Sequence, residues 1–220
     1  MKQYQLITLI SLLLTAETAF SEDSAMYVSA GVNKINNFTQ GGYGAVAGHS
    51  TNHMYGNTGS NIAIGYDFTD QVSLEVEYQQ QKSQQYKKVN STNTWLYGPS
   101  QVSRLSFKTE SIAPKLIYRF KLSGIQGLSS YVGAGAGFYR GTVNYDENIN
   151  NTKDTATANG QVFQMLGGIR YHINDKSFLE LRVQNDKFSS VTASSAGVLN
   201  GGIVKSHNTI GTVLTVGGYL

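Results

Sequence analysis

The chain has 220 residues, among them 24 glycines, 14 tyrosines, 9 phenylalanines and 2 prolines, and it has no cysteine. Without cysteine it forms no disulfide bonds, and its net charge of +3, without a basic cluster, gives no indication of nucleic-acid binding. Charged residues make up 14% of the chain, which is low beside the roughly 25% of soluble domains.

The first 21 residues have the pattern of a secretory signal peptide. Lys2 provides the positive charge, residues 6–14 are mostly apolar, and Ala19-Phe20-Ser21 offers small residues for cleavage. The apolar run is too short for a transmembrane helix, although an uncleaved anchor is the alternative. We predict a cleaved signal peptide over residues 1–21 and one domain over residues 22–220.

Eight later segments alternate between apolar and polar residues, as β-strands with two different faces do. In the segment 177–187, for example, Leu179 and Leu181 fall on one face, and Glu180 and Arg182 fall on the other. The predicted strands are 27–34, 61–68, 72–79, 107–121, 130–144, a hairpin over 160–187 that turns at 174–176, and 207–220. Pro114 lacks an amide hydrogen and predicts a bulge in the fourth strand.

The connections between these strands alternate in length. Segments 35–60, 80–104, 146–159 and 189–205 are long or medium, whereas 69–71, 123–127 and 174–176 are short. In an up-and-down barrel this alternation places the long loops at one end, and the tight turns and both termini at the other. Outer-membrane barrels have this asymmetry. A chain without later transmembrane helices can cross a membrane only as a closed barrel.

Several strand and turn sequences resemble small bacterial outer-membrane β-barrels of the OmpA or opacity type, the porin-like surface antigens. They are GYDFTDQVSLEVEY at 65–78, YVGAGAG at 131–137 and GGIRY at 167–171. The resemblance implies an all-β, eight-stranded antiparallel up-and-down transmembrane barrel over residues 22–220, in the outer membrane of a Gram-negative bacterium. Such chains usually end in Phe, whereas this one ends in Tyr219-Leu220. The resemblance implies no particular ligand.

In such a barrel the charged strand faces point inward. The predicted interior polar network opposes three carboxylates to four cations: Glu75, Glu77 and Glu180 against Lys115, Arg119, Arg170 and Arg182. An eight-stranded interior is just wide enough to be filled by side chains, so we expect a packed polar plug. The alternative is a path for protons or small solutes through a movable ion pair.

Aromatic residues divide into two predicted groups. Those near strand ends are expected in the two interfacial girdles of a membrane barrel: Tyr27, Tyr66, Phe68, Tyr78, Tyr118, Phe120, Tyr131, Phe138, Tyr139 and Tyr171. Those in the long loops either pack locally or form a contact surface for a partner: Tyr43, Tyr55, Tyr86, Trp95 and Tyr97. Basic residues of the second loop would meet lipopolysaccharide phosphates: Lys82, Lys87, Lys88 and Arg104.

We predict no catalytic, cofactor or metal site. His49 and His53 would share a metal only on a helix, which their glycine-rich loop disfavours, and Gly133, Gly135 and Gly137 precede no helix that could bind phosphate. Some barrels of this kind modify lipid A, but no His–Ser pair two residues apart stands on a late strand here. External His49 and His53 with Asp146 leave an enzyme as an alternative.

The sequence therefore predicts a monomeric, non-enzymatic surface barrel that acts through its external loops in adhesion, host interaction or envelope integrity. Its expected partners are outer-membrane lipid, lipopolysaccharide and host surface molecules. The alternatives are a narrow channel for small or apolar solutes and, third, a lipid-A-modifying enzyme.

Overall fold

A computed structural model describes the backbone of residues 26–39, 55–122, 124–147, 152–192, 203–204 and 207–220. Within these ranges it describes the side chains of residues 26–35, 58–82, 106–122, 124–144, 153–190 and 208–220. No helix in this described part of the chain is long and apolar enough to span a membrane.

The described residues form ten strands. They are β1 (Met26–Thr39), β2 (Tyr55–Asp67), β3 (Val72–Val89), β4 (Gln101–Lys121), β5 (Leu128–Glu147), β6 (Thr152–Asn174), β7 (Ser177–Phe188), β8 (Val191–Thr192), β9 (Ile203–Val204) and β10 (His207–Tyr219). The strands β8 and β9 pair only with each other, as a small separate sheet in the connection from β7 to β10.

The other eight strands form a closed antiparallel barrel in which each strand pairs with its sequence neighbours and β1 pairs with β10. Tyr27 lies opposite Tyr219, so both ends of the described barrel lie at one rim. The three tight turns 68–71, 122–127 and 175–176 lie at this rim, which we call the turn end; the opposite rim is the far end. The predicted eight-stranded up-and-down barrel is confirmed.

Alternation along the strands gives the barrel an apolar outer wall and a polar interior. Phe138, Met165 and Leu116 expose 68%, 67% and 59% of their surface on the outside, whereas Glu75 inside exposes 1%. A soluble protein would bury the first three and expose the fourth. Apolar solvent around the wall accounts for the reversal.

Local hydrogen bonds fix the tight turns. Thr69 Oγ1 accepts from the amides of Gln71 and Val72 at 3.2 and 3.0 Å. Asn174 Oδ1 accepts in the same way from the amides of Lys176 and Ser177 at 2.9 and 2.8 Å. Such side-chain caps are why Thr and Asn are common in turns.

The turn between β4 and β5 depends on glycine. Gly124 and Gly127 have φ angles of 103° and 79°. Side chains with a Cβ rarely adopt this left-handed region, so glycine is required at both positions.

The bulge predicted at Pro114 is wrong. Pro114 lies opposite Val76 of β3, and the register of β4 against β5 is the same before and after it. A bulge inserts an extra residue into one strand. Here β4 continues past Pro114 with no extra residue, although proline has no amide hydrogen to donate. The register shifts lie instead at Ile35/Asn37, Tyr55/Thr58 and His172/Asn174.

Three predicted loops are shorter than expected because the strands continue through them. β1 runs to Thr39 and β2 starts at Tyr55, β3 runs to Val89 and β4 starts at Gln101, and β5 and β6 meet across only residues 148–151. Beyond Phe138, the outward residues Arg140, Thr142 and Asn144 are all polar. From Phe138 to the end of β5 the strand extends about 30 Å at about 3.3 Å per residue. The strands β3 to β6 therefore form a projecting sheet at the far end.

Candidate functional site

Six of the seven residues predicted for the interior network meet in one cluster at mid-barrel. They lie on adjacent inner positions of four strands, with Glu75 and Glu77 on β3, Lys115 on β4, Arg170 on β6, and Glu180 and Arg182 on β7. Each exposes 2% of its surface or less. Three carboxylates balance three cations, so the cluster is electrically neutral.

Arg182 is at the centre of this cluster. Its guanidinium pairs with Glu77, with Glu75 Oε1 at 3.5 Å and with Glu180 Oε1 at 3.6 Å. Buried charges persist only when they are paired and hydrogen-bonded. Arg182 thus connects all three carboxylates of the cluster.

Two further cations complete the cluster. Lys115 Nζ donates to Glu77 Oε1 at 2.5 Å. Arg170 donates from Nε and Nη2 to Glu180 Oε2 at 3.0 and 2.8 Å. The cluster is therefore held from four strands at once.

Arg119, the seventh predicted member, lies apart from this cluster at the turn end. Its Nη2 is 2.8 Å from Asp67 Oδ1, and Tyr219 Oη donates to Asp67 Oδ2 at 2.9 Å. Asp67 is not a member of the predicted network, although it follows Ala63 and Gly65 in the inner alternation of β2. The signal was present in the spacing.

Aromatic rings fill the interior between Arg119 and the cluster. The rings of Tyr27 and Phe178 meet edge to face at 5.6 Å, and the Arg170 guanidinium lies 4.0 Å from the Phe178 ring centre. His172 stacks on Tyr219 at 6.0 Å. Tyr27 Oη donates to Glu75 Oε2 at 3.2 Å and links this layer to the cluster.

The girdle prediction is wrong for three tyrosines. Tyr27, Tyr131 and Tyr139 expose 0%, 2% and 3% of their surface and point inward. Each falls at one of the alternate positions of its strand that face inward. The alternation therefore indicates the interior for these tyrosines, although their places near strand ends suggest a girdle. The other residues predicted for the girdles are exposed on the outer wall.

On the far side of the cluster, amide side chains surround Asp186. Gln184 Nε2 and Gln164 Nε2 donate to Asp186 Oδ1 at 2.7 and 3.1 Å, and Gln81 Nε2 donates to Oδ2 at 3.0 Å. All three contacts are donors, which suits an ionised carboxylate. Asp186 was placed on the charged face of its strand but not in the network.

Apolar side chains fill the interior beyond the glutamines. Tyr139, Val162 and Phe188 form a buried cluster in which the two rings lie 5.0 Å apart, with Phe107 and Val143 also buried. Tyr139 Oη donates to the backbone oxygen of Ser189 at 2.8 Å. The far part of the interior is therefore apolar rather than polar.

The interior glycines leave room for neighbouring inner side chains. A Cβ on Gly135 would lie 2.7 Å from Lys115 Cγ, and one on Gly133 would lie 3.1 Å from Leu166 Cδ1. On β6, a Cβ on Gly168 would lie 2.8 Å from Arg182 Cβ. Glycine is thus required beside the cluster by close approach.

A cavity of about 700 Å³ opens at the turn end, lined in part by Asp67, Arg119, Lys121, His172 and Tyr219. At its edge, Lys121 Nζ donates to Asp70 Oδ2 at 2.9 Å. This hydrogen bond, outside the barrel wall, holds the pKa of Asp70 below its ordinary value. The described residues contain no group of His, Asp or Glu placed to hold a metal ion.

Most loop predictions fall outside the described residues. Tyr43, Trp95 and Tyr97 do so, as do His49 and His53. The backbone of Tyr55 begins β2 and that of Tyr86 lies within β3, so these two belong to strands and not to loops. Asp146 likewise lies within β5.

A closed antiparallel barrel with an apolar outer wall and a filled, charged interior is the structure of a transmembrane β-barrel. Lipid offers no hydrogen bonds, so every backbone group in the membrane must be paired within the protein, and a closed barrel achieves this. The sequence matches the outer membrane protein beta-barrel domain over residues 6–209. This chain belongs to that family, and the protein is located in the outer membrane of a Gram-negative bacterium. The turn end is periplasmic and the far end extracellular.

Solved structures have the same fold. Neisserial surface protein A matches with a TM-score of 0.59 and 16% identity, covering 90% of this chain and 98% of that one. Ail, the attachment invasion locus protein of Yersinia pestis, matches with a TM-score of 0.52 and 11% identity, covering 89% and 97%. A comparison with curated protein sequences finds no significant match.

Proposed function

We propose that this protein is a non-enzymatic surface protein that binds host molecules through its extracellular part. The projecting sheet formed by β3 to β6 is the observation that carries the proposal. It continues about 30 Å along the strands beyond the apolar wall, and the outward residues whose side chains are described there are polar. A barrel that only needed to cross the membrane would not require this extension.

The interior supports the same function. The charged cluster, the glutamines around Asp186 and the apolar residues around Phe188 occupy successive parts of the barrel, with side chains buried almost completely. Two proteins of the same fold have names that refer to a surface protein and to attachment. The loop residues Tyr43, Trp95 and Tyr97 remain predicted contributors to the contact surface.

Shortening the β5–β6 hairpin tests this proposal. Asn144 and Thr155 lie directly opposite each other, so residues 145–154 can be replaced by Asn-Gly as a two-residue turn. Laboratory Escherichia coli cells that display the full protein are expected to attach to epithelial monolayers above the empty-vector level. Cells with the shortened hairpin are expected to attach at that level.

The matched control replaces the periplasmic turn Asp175-Lys176 by Asn-Gly and should leave attachment unchanged. Surface amounts of all three proteins are compared by heat-dependent gel mobility. Attachment equal to the empty vector by the full protein, or undiminished attachment after shortening, would contradict the proposal.

A narrow channel is the second candidate, and the charged character of the mid-barrel cluster favours it. Arg182 reaches three carboxylates, so exchange among them would open a path for small ions. Planar-bilayer recordings test this alternative. Conductance steps that change in Arg182→Lys would support a channel, and silent bilayers would rule it out.

The absence of enzymatic activity is part of the proposal and has its own test. Lipid A is extracted from cells with and without the protein and compared by mass spectrometry. Identical masses are expected, whereas an acyl-chain loss or gain would favour the lipid-modifying alternative.

A further inference from the structure

An open groove crosses the outer wall where the apolar surface meets the projecting sheet. Its volume is about 670 Å³. It crosses four strands at one level, since neighbours in the row Tyr78, Ile112, Phe138 and Gln161 are directly paired. The residues that carry the argument are Tyr78, Ile112, Phe138, Arg140, Asn159 and Gln161.

Arg140 has an exposed side chain in this groove and no anionic partner among the described residues. Glu110 lies directly opposite it on β4, but Glu110 Oε1 accepts from Lys108 Nζ at 2.7 Å and from Tyr78 Oη and Gln80 Nε2, both at 3.1 Å. No carboxylate of the described residues pairs with the Arg140 guanidinium. An exposed guanidinium without a carboxylate partner is available to an anionic ligand.

The surroundings of Arg140 are positive overall. Lys82 on β3 and Lys108 on β4 lie opposite each other, one row further from the membrane than Arg140. With Arg140 they make three cations around the single carboxylate of Glu110. The guanidinium fork matches a phosphate in a bidentate arrangement. The exposed amides of Asn159 and Gln161 provide further donors beside it.

Towards the membrane centre, beyond Phe138, the outer face of β5 carries small side chains. Ala136 and Ala134 are exposed on β5, and the large residues Phe163 and Met165 lie directly opposite them on β6. This alanine trough is continuous with the lipid-facing wall. Its shape suits a hydrocarbon chain lying along β5.

We propose that the groove binds one phosphorylated, acylated glycolipid of the outer leaflet, the lipid A class. A phosphate lies on Arg140, Asn159 and Gln161 donate to the head group, and an acyl chain lies in the alanine trough. The proposal depends on the outer-membrane location and is independent of host binding through the projecting sheet.

Native mass spectrometry of the purified barrel with added lipid A in detergent tests this site. Arg140→Gln is expected to weaken binding of bisphosphorylated lipid A about tenfold, since a charge-assisted contact is lost. Lys34→Gln, which removes an exposed cation from the outside of β1 on the opposite side of the barrel, should leave binding unchanged. Dephosphorylated lipid A should bind the unaltered protein as weakly as bisphosphorylated lipid A binds Arg140→Gln.

A second variant tests the acyl part of the site. Ala136→Phe fills the trough from the lipid side, where folding does not depend on a small residue, and should weaken binding of both lipids several-fold. Unchanged binding in Ala136→Phe would overturn the placement of the chain.

Three further outcomes would overturn the proposal. They are equal binding by Arg140→Gln and the unaltered protein, an equal loss in Lys34→Gln, and full displacement of lipid A by millimolar inorganic phosphate. The first removes the site, the second reduces it to general surface charge, and the third shows a site for free phosphate. Attachment of cells through the projecting sheet should persist in Ala136→Phe, which lies on the membrane side of Phe138 and outside that sheet, so failure of one proposal is distinguishable from failure of the other.

Discussion

At the scale of single residues, Arg182 determines whether the buried carboxylates are compensated. Its replacement by Met would leave three carboxylates, Glu75, Glu77 and Glu180, with only two cations in the cluster. We expect Arg182→Met to lower the free energy of unfolding by about 3–5 kcal/mol, the cost of breaking a buried ion pair. A urea series read by heat-dependent gel mobility measures this change.

The control for that experiment is an ion pair in water. Lys121 and Asp70 pair at 2.9 Å with both side chains 80% exposed, and exposed pairs contribute little. Lys121→Met should therefore unfold at the same urea concentration as the unaltered protein. Equal midpoints for Arg182→Met and Lys121→Met would contradict the role given to the interior cluster.

Gly65 gives a second prediction at this scale. A Cβ at Gly65 would overlap the ring of Tyr27, so Gly65→Ala should destabilise the barrel by about 1–3 kcal/mol through overpacking. Gly167→Ala is the matched control, because its nearest atom, Tyr131 O, would be 3.7 Å away. Unfolding in urea measures both variants.

The cause can be isolated with a double variant. If the Tyr27 ring is responsible, the double variant Gly65→Ala/Tyr27→Ala should lose less free energy of unfolding than the sum of the losses in the two single variants. Strict additivity would show that the glycine is needed for another reason.

Single residues also show how far the sequence was informative. Alternation placed Glu180 and Arg182 inside and Leu179 and Leu181 outside, and the structure has them there. The same alternation places Tyr27 in the interior. Tyrosine is also common at membrane interfaces, so residue type alone suggests the outer wall for it. The partner of each interior charge was not predictable, because it depends on the stagger between strands.

At the scale of the strand, the orientation of the barrel can be tested with thiols, because the chain has no cysteine. Lys153 lies exposed near the extracellular start of β6, and Asp175 lies exposed in the periplasmic turn. A membrane-impermeant maleimide should label Lys153→Cys in intact cells. It should label Asp175→Cys only after the outer membrane is permeabilised.

Met165→Cys is the control for that labelling, because residue 165 faces lipid and should stay unlabelled in both conditions. Labelling of Asp175→Cys in intact cells, with Lys153→Cys protected, would reverse the orientation.

Strand ends were the least predictable elements. Residues 152–159 alternate Ala156 and Ala158 inside with Thr155 and Thr157 outside. Neither face is strongly apolar, since the outer face meets water and the inner face is small. The hydrophobic contrast that identified the membrane part is therefore absent, and this segment was interpreted as a loop.

At the scale of the whole molecule, the closed ladder of hydrogen bonds predicts resistance to detergent. Every barrel strand has two partners, so no edge is open to initiate unfolding. We expect the detergent-extracted protein to migrate differently on a gel before and after boiling, and to fractionate with the outer membrane. A soluble periplasmic protein with a single mobility would contradict the membrane barrel.

The closure between β1 and β10 constrains how the barrel assembles. Tyr27 and Tyr219 are among the most distant paired residues in the sequence, yet they meet at the same rim. Closure therefore waits until the last strand has been synthesised, and every earlier intermediate has two uncovered edges. During that interval the protein is vulnerable to aggregation, so the time to closure, rather than the strength of the finished barrel, sets the yield of folded protein.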